Sequence, residues 1–245
     1  MDIESITYQA AGNSFTGFLA DGSAGAAAPG VLVIHEAGGL TEHIKSRAAR
    51  LAEERGCVAF AMDLFGAELE PPTPDRPDSL AKAQAVVRRL REDVAEFRAR
   101  VTAALAVLER HPHVDPARLA AIGYCLGGAA AIELARTGAP LKAVAGFHAG
   151  ILPGTAEDDR AIRARLLLCH GEKDPVVPAS QIQDFTAGLT EAGIDWQLHL
   201  YGGVGHSFTN PEIDAWNLPG FFFNEKADRR SWAAMLQLLE ETIAI

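Results

Sequence analysis

The sequence is short of positive charge. Its 245 residues carry 22 Lys and Arg against 32 Asp and Glu, a formal net charge of −10. Proteins that grip a phosphate backbone do so with clustered cations that displace counterions. The densest basic stretch, Arg88-Arg89-Leu90-Arg91, falls inside an amphipathic helical pattern with acidic neighbours and reads as a solvated face, so no nucleic-acid partner is expected. Long apolar runs are also missing. None approaches the ~18 residues of a membrane span, and Met1-Asp2-Ile3-Glu4 lacks the basic and apolar regions of an export signal. A cytoplasmic protein with no membrane partner is the expectation. Cysteine is scarce: Cys57, Cys125 and Cys169 are an odd number with no C-x-x-C pair, which argues against a disulfide framework or a zinc cluster and for free thiols.

Two β-leaning runs, Ile3 to Tyr8 and Phe15 to Ala20, are separated by a turn and suit an antiparallel hairpin. Thereafter apolar bursts at 31–34, 57–62, 119–122, 143–147, 166–169 and 196–201 alternate with stretches of helical period, which predicts a mostly parallel sheet. The bursts have few polar interruptions, so they are buried on both faces and need helices on both sides. The helical faces are legible in Ile44, Ala48, Leu51 and Ala52, in Leu80, Ala83, Val87 and Leu90, and in Val94, Phe97, Val101, Leu105 and Leu108. Further faces run through Ile182, Phe185 and Leu189, and through Trp232, Met235, Leu239 and Ile243. Neither the Ala- and Gly-rich stretch 22–30 nor the proline-rich stretch 70–78 separates two core-forming halves, so residues 1–245 are read as one α/β domain.

Gly123-Tyr124-Cys125-Leu126-Gly127-Gly128 follows one strand and opens a helix. A nucleophile presented on such a strand-to-helix turn needs small residues two before and two after it, because the turn is tight. A dinucleotide-binding loop would require glycine where Cys125 stands. The helix N-terminus contributes about 0.3 to 1 kcal/mol, at most about 2, to stabilising a thiolate, which is too little without a base.

Two later strand ends supply partners. His170-Gly171-Glu172-Lys173-Asp174-Pro175 offers Asp174 to orient an imidazole, and Gly202-Gly203-Val204-Gly205-His206-Ser207-Phe208 brings His206 back over the sheet edge. The chain order nucleophile, acid, base is that of α/β hydrolases. His35-Glu36-Ala37-Gly38-Gly39 stands where that fold takes its second oxyanion donor, so the Ala37 and Leu126 amides are the expected pair.

Through His35-Glu36, the run 123–128, His170-Gly171-x-x-Asp174-Pro175 and Gly205-His206-Ser207-Phe208, the sequence resembles the dienelactone hydrolase family of α/β hydrolases over nearly its whole length. The resemblance implies a Cys125, His206, Asp174 triad, with Glu36 taking part in activating the thiol. An ionised carboxylate beside a thiol disfavours the thiolate unless it takes the proton itself, so a resting neutral thiol is expected. It further implies that the end of the strand 143–147, at His148, lines the substrate pocket. The sequence departs from the family where an arginine that holds the substrate carboxylate is expected shortly after the catalytic histidine: Asn210 cannot supply that charge, and Arg88, Arg89 and Arg91 are the candidate substitutes. The aromatic segment 216–223 is expected to pack beneath the last helix.

The function these residues point to is hydrolysis of small activated esters or lactones through an acyl thioester on Cys125, with no cofactor and no metal, by a monomer or small homo-oligomer. Acyl transfer or thioester cleavage on the same residues, and a non-catalytic ligand-binding member of the scaffold, are the competing expectations. A metal-assisted hydrolase using His35, Glu36, His148, His170 and His206 is disfavoured because no helical H-x-x-x-H pair occurs.

Overall fold

In the computed structural model, which describes residues 1–76 and 78–245, the chain opens with two strands, β1 (Asp2–Ala10) and β2 (Asn13–Asp21). Ala11 and Gly12 between them both have positive φ, 47° and 78°, as a two-residue turn matched to strand twist requires. Then follow β3 (Ala28–Ile34), α1 (Glu42–Arg55), β4 (Val58–Met62), α2 (Ser79–Glu92), α3 (Val94–Arg110) and β5 (Val114–Tyr124). The chain continues through α4 (Leu126–Arg136), β6 (Leu141–Phe147), α5 (Ala156–Ala161), β7 (Arg165–Gly171), α6 (Ala179–Glu191), β8 (Trp196–Tyr201) and α7 (Glu225–Ile243). Pro77, within the proline-rich stretch, lies outside the described residues.

All eight strands join one sheet in the order β1-β2-β4-β3-β5-β6-β7-β8. β2 pairs antiparallel with both β1 and β4, and every other neighbour is parallel. The unbroken apolar strands have the predicted cause. Leu32, Ile34, Leu119, Ala121, Leu166 and Leu168 face a core completed by α3, α4 and α6. Their neighbours Val31, Val33, Ala120, Ile122, Leu167 and Cys169 face a second core under α1 and α7. Both faces are covered, so each strand position must be apolar.

The chain leaves β3 for β4 on one side and returns to β5 on the other. Loops after neighbouring parallel strands therefore diverge at β3 and β5 and open a crevice at the carboxyl edge, where ligands of open α/β sheets bind. Glu36 and Cys125 follow the ends of these two strands. Among the described residues no helix is long and apolar enough to cross a membrane.

Candidate active site

Cys125 sits between β5 and α4 at φ 51°, ψ −111°, a conformation that costs an L-residue energy and persists only when its surroundings enforce it. They do. The Cys125 amide donates to the Phe147 carbonyl at 3.0 Å, and its own carbonyl accepts from Gly128, Ala129 and Gly150 at 3.1, 3.2 and 2.9 Å. The flanking glycines are steric necessities: a Cβ on Gly123 would stand 2.0 Å from the Gly127 carbonyl oxygen, and one on Gly127 would stand 2.2 Å from the Ile34 carbonyl oxygen. The turn thus seats helix α4 against the ends of β3 and β5, and leaves Cys125 partly exposed at the crevice.

His206 comes from the loop after β8. Its amide donates to the Gly220 carbonyl at 2.8 Å, and its ring is fully buried. Nδ1 lies 2.7 Å from Asp174 Oδ2. The other carboxylate oxygen, Oδ1, accepts from the Val176 and Val177 amides at 2.7 and 3.1 Å, so the loop after β7 fixes the acid and the acid fixes the imidazole. His170 Nε2 approaches the same Oδ2 at 3.2 Å.

Burial opposes a positive charge on His206, but the charge of the Cys125 sulfur and the hydrogen-bonded Asp174 carboxylate outweigh it, and the imidazole is pushed up to about 10. His206 Nε2 has no partner of ordinary hydrogen-bond geometry among the described residues, so sulfur and ring are in electrostatic reach without a closed bond. Catalytic hydrogen bonds are often loose before substrate arrives. Asp174 is itself held low: burial works against its charge, and the hydrogen bond and charge of His206 prevail.

Glu36 faces the same crevice from the end of β3. Ser207 Oγ donates to Glu36 Oε2 at 3.1 Å, and Asn210 Nδ2 donates to Oε1. Burial raises the Glu36 carboxyl despite these donors and the nearby His206. Asn210 therefore supplies a neutral donor to Glu36 at a place where the sequence resemblance called for a cation. His35 plays a supporting part. With Nδ1 2.7 Å from the Glu36 carbonyl oxygen and Nε2 accepting from the Leu64 amide at 2.9 Å, both ring nitrogens are occupied, and it ties the end of β3 to the loop after β4.

A cavity of about 120 Å³ opens in front of Cys125, lined by Glu36, Ala37 and Ser207 on its polar side and by Leu80, Ile213, Trp216, Leu218 and Phe221 on its apolar side. It is small beside the roughly 300–1,000 Å³ of common ligand pockets. The aromatic segment thus forms a wall of the cavity through Trp216 and Phe221. The reason is the bridge that pairs His206 with Phe221, which draws the segment across the crevice.

His148 departs from its expected place. It is fully buried and does not line the cavity; it lies behind His206, with ring centroids 5.0 Å apart and edge to face. Its Nε2 meets Thr209 Oγ1 at 2.9 Å, and burial, reinforced by the charge on His206, keeps it well below the usual histidine range. The cause is its backbone: at φ 39° the chain turns back under the loop after β8. Of the three candidate arginines, Arg89 is paired with Glu68 and Glu96. Arg88 and Arg91 line a separate depression of about 450 Å³ that reaches Ala37. That Ser207 and Asn210 hold Glu36, and that Ile213 and Leu218 form part of the wall, is not legible in the sequence; the Asn210-Pro211 pair that starts a short helical turn was the available signal.

A parallel sheet entered by an antiparallel hairpin, with a strained cysteine elbow after β5, an acid after β7 and a histidine after β8, defines an α/β hydrolase. The chain matches the dienelactone hydrolase family over residues 15–243 and belongs to that family of hydrolases. It is 26% identical to the carboxymethylenebutenolidase of Pseudomonas putida, over 84% of this chain and 85% of that one. The solved structure of m3DLH superposes with a TM-score of 0.91 at 40% identity, covering 99% of this chain and 98% of the other. A dienelactone hydrolase-like promiscuous phosphotriesterase from metagenomic libraries gives the same TM-score at 36% identity, covering 98% of both chains.

Proposed function

We propose that the protein hydrolyses small activated esters or lactones through an acyl thioester on Cys125, with His206 as base and acid and Asp174 as its orienting carboxylate. The observation that carries this reading is the placement of His206, 2.7 Å from Asp174 through Nδ1 and influenced most strongly upward by the Cys125 sulfur.

With Nδ1–H donating to Asp174, the ring presents Nε2 to the thiol. Nε2 takes the proton as sulfur attacks the carbonyl carbon, and the carbonyl electron pair moves onto oxygen. Leu126, as the first residue of α4, has an amide with no intrahelical partner; with the Ala37 amide it is assigned to that oxyanion. Collapse of the intermediate expels the alkoxide, which takes the proton from Nε2. Water then gives a proton to Nε2 and attacks the thioester, and the thiol is regenerated with the carboxylic acid as product. Thiolate leaves an addition intermediate more readily than alkoxide, so good leaving groups are preferred: enol lactones, aryl esters and thioesters before amides. Burial raises the Glu36 carboxyl, so a carboxylate charge beside the sulfur opposes proton transfer from Cys125 to Nε2 less.

The apolar wall and a cavity of about 120 Å³ suit short, uncharged acyl groups. The similarity to the promiscuous phosphotriesterase extends the panel of substrates to activated phosphotriesters. Mass spectrometry of the intact protein mixed with p-nitrophenyl esters, lactones and a p-nitrophenyl phosphotriester tests the reading. The expected result is an acyl or phosphoryl adduct mapped to Cys125, absent from Cys125→Ala. An adduct on a serine, or turnover that survives Cys125→Ala, refutes it.

A further inference from the structure

At the edge of the sheet opposite Cys125, three side chains converge that the proposed chemistry does not use. Asp21 closes β2. His111 and His113 flank Pro112 in the turn between α3 and β5. One donor atom from each of the three residues lies within 4.8 Å of the other two. We infer that Asp21, His111 and His113 form a binding site for a divalent first-row transition metal of the Zn²⁺ type.

The donors are presented on fixed backbone. The His111 amide donates to the Leu108 carbonyl at 3.0 Å, the Val114 amide to the His111 carbonyl at 3.1 Å, and the Ala28 amide to the His113 carbonyl at 2.8 Å. Pro112 between them has its φ locked by its ring. Asp21 is set by the β2–β4 ladder opposite Val58, and its Oδ1 accepts from the Ser23 amide at 2.8 Å. That leaves Oδ2, which faces His113 Nδ1, as the ligand atom.

The contacts present are those a metal would replace. His113 Nδ1 meets Asp21 Oδ2 at 2.6 Å, with one proton between them. Zn²⁺ bonded to nitrogen at about 2.0–2.1 Å and to oxygen at about 2.0–2.2 Å holds such atoms roughly 3.3 Å apart, an opening that a small side-chain rotation supplies. The displaced proton moves to His113 Nε2, on a ring about a third exposed, or leaves to solvent if the ring was cationic. His111 Nδ1 accepts only a long bond, 3.3 Å, from the His113 amide, so little holds its lone pair in place.

Two imidazoles and one carboxylate are a donor set for Zn²⁺, Ni²⁺ or Co²⁺; Ca²⁺ and Mg²⁺ require more oxygen. With three protein ligands, water completes the coordination. The site joins the end of the opening hairpin to the turn before β5, so its occupant acts as a clamp on the hairpin, remote from the chemistry.

The test uses untagged Cys125→Ala protein, in which the catalytic thiol cannot bind metal and the outcome does not depend on the proposed reaction. ZnCl₂ is titrated by calorimetry, and thermal unfolding is followed with and without the ion. One equivalent of Zn²⁺ binding, a raised Tm, tetrahedral Co²⁺ absorption in the visible, and no response to Mg²⁺ or Ca²⁺ are expected. His111→Ala and His113→Ala each weaken Zn²⁺ at least tenfold and abolish the Tm shift, while His199→Ala, on β8, leaves both unchanged. The His111 side chain contributes one long hydrogen bond and an edge contact with the His113 ring, so its variant remains informative if His113→Ala unfolds. Absence of a Zn²⁺ site tighter than 100 μM, or an unaltered site in His111→Ala, overturns the inference.

Discussion

Replacing Gly123 with alanine asks whether the elbow, rather than the cysteine alone, makes the site. The added Cβ would lie 2.0 Å from the Gly127 carbonyl oxygen and 2.2 Å from its carbon, about 1.4 Å short of ordinary contact at 3.4 Å. Both atoms are main chain in the first turn of α4, which is tied back to the Cys125 carbonyl through the Gly128 and Ala129 amides. No side chain can swing aside, so the turn itself must open by a distance of that order. Overpacking of this kind costs about 1–3 kcal/mol, and a displacement of about 1 Å between reacting groups costs about 10²-fold in rate. Urea denaturation is expected to show the first and the rate of Cys125 acylation by an aryl ester the second. Gly202→Ala is the control, since nothing stands within 4 Å of its Cβ position; it should match the parent in both assays. A Gly123→Ala protein that acylates at the parent rate refutes the steric account of the elbow.

Asp174→Asn keeps an oxygen for the Val176 and Val177 amides but removes the charge facing His206 Nδ1; in serine triads the equivalent change costs about 10⁴ in turnover, and a loss below tenfold in steady-state hydrolysis would show that Asp174 is not the orienting acid. His206, pushed up to about 10 by the Cys125 sulfur and Asp174 against the effect of burial, stabilises the folded state fully below its ordinary value of 6.5 and loses that contribution as the pH climbs to about 10. The urea midpoint should therefore fall across this window and fall less in Cys125→Ala; a midpoint flat from pH 7 to 10 in the parent contradicts the assignment. Arg47 Nη2 donates to the Thr209 carbonyl at 2.7 Å and to Asp228 at 2.6 Å, linking α1 to α7 and to the loop behind His206. Arg47→Met should cost about 3 kcal/mol by leaving Asp228 unpaired, and Arg47→Met with Asp228→Leu should recover most of it; equal denaturation midpoints for the single variant and the parent would count against the link.

The fold was legible because its period is written twice. Each parallel strand alternates between two cores, so Val31, Leu32, Val33 and Ile34 are all apolar and all buried, and a short run with no polar break, bounded by turn residues, fits a strand covered on both sides. Most of the helices between them show one apolar face for the converse reason; α4, buried on every residue, does not. Strand ends were less legible: β5 begins at Val114, five residues before the apolar burst, because its first part pairs only at Ala28 and carries the polar stretch Asp115-Pro116-Ala117-Arg118. The division of the long helical stretch into α2 and α3 is set by Asp93, whose side chain accepts from the Glu96 amide at 2.9 Å.

At the site, what could be read was what local backbone geometry demands. Gly123 and Gly127 announce the elbow since no other residue fits against a neighbouring carbonyl, and the order of Cys125, Asp174 and His206 follows the order of strands. What could not be read depends on which loops meet. Glu36 finds Ser207 and Asn210 more than 170 positions away, and His148 is turned behind His206 by a φ of 39° at a residue type that gives no warning of it. Arg100 makes the same point in the core. On sequence it is one more helical cation, yet it is fully buried, donating to the Leu64 carbonyl at 2.7 Å and pairing with Glu68 and Glu96. Its bond to the Leu64 carbonyl and its pair with Glu68 anchor the loop after β4, the same loop that His35 holds from the other side through Leu64. The position of Glu36 and Ala37 at the mouth of the crevice therefore rests on two buried cross-links, His35 to Leu64 and Leu64 to Arg100. Both arise from contacts between the β3 and β4 loops and α3 that no window of sequence contains.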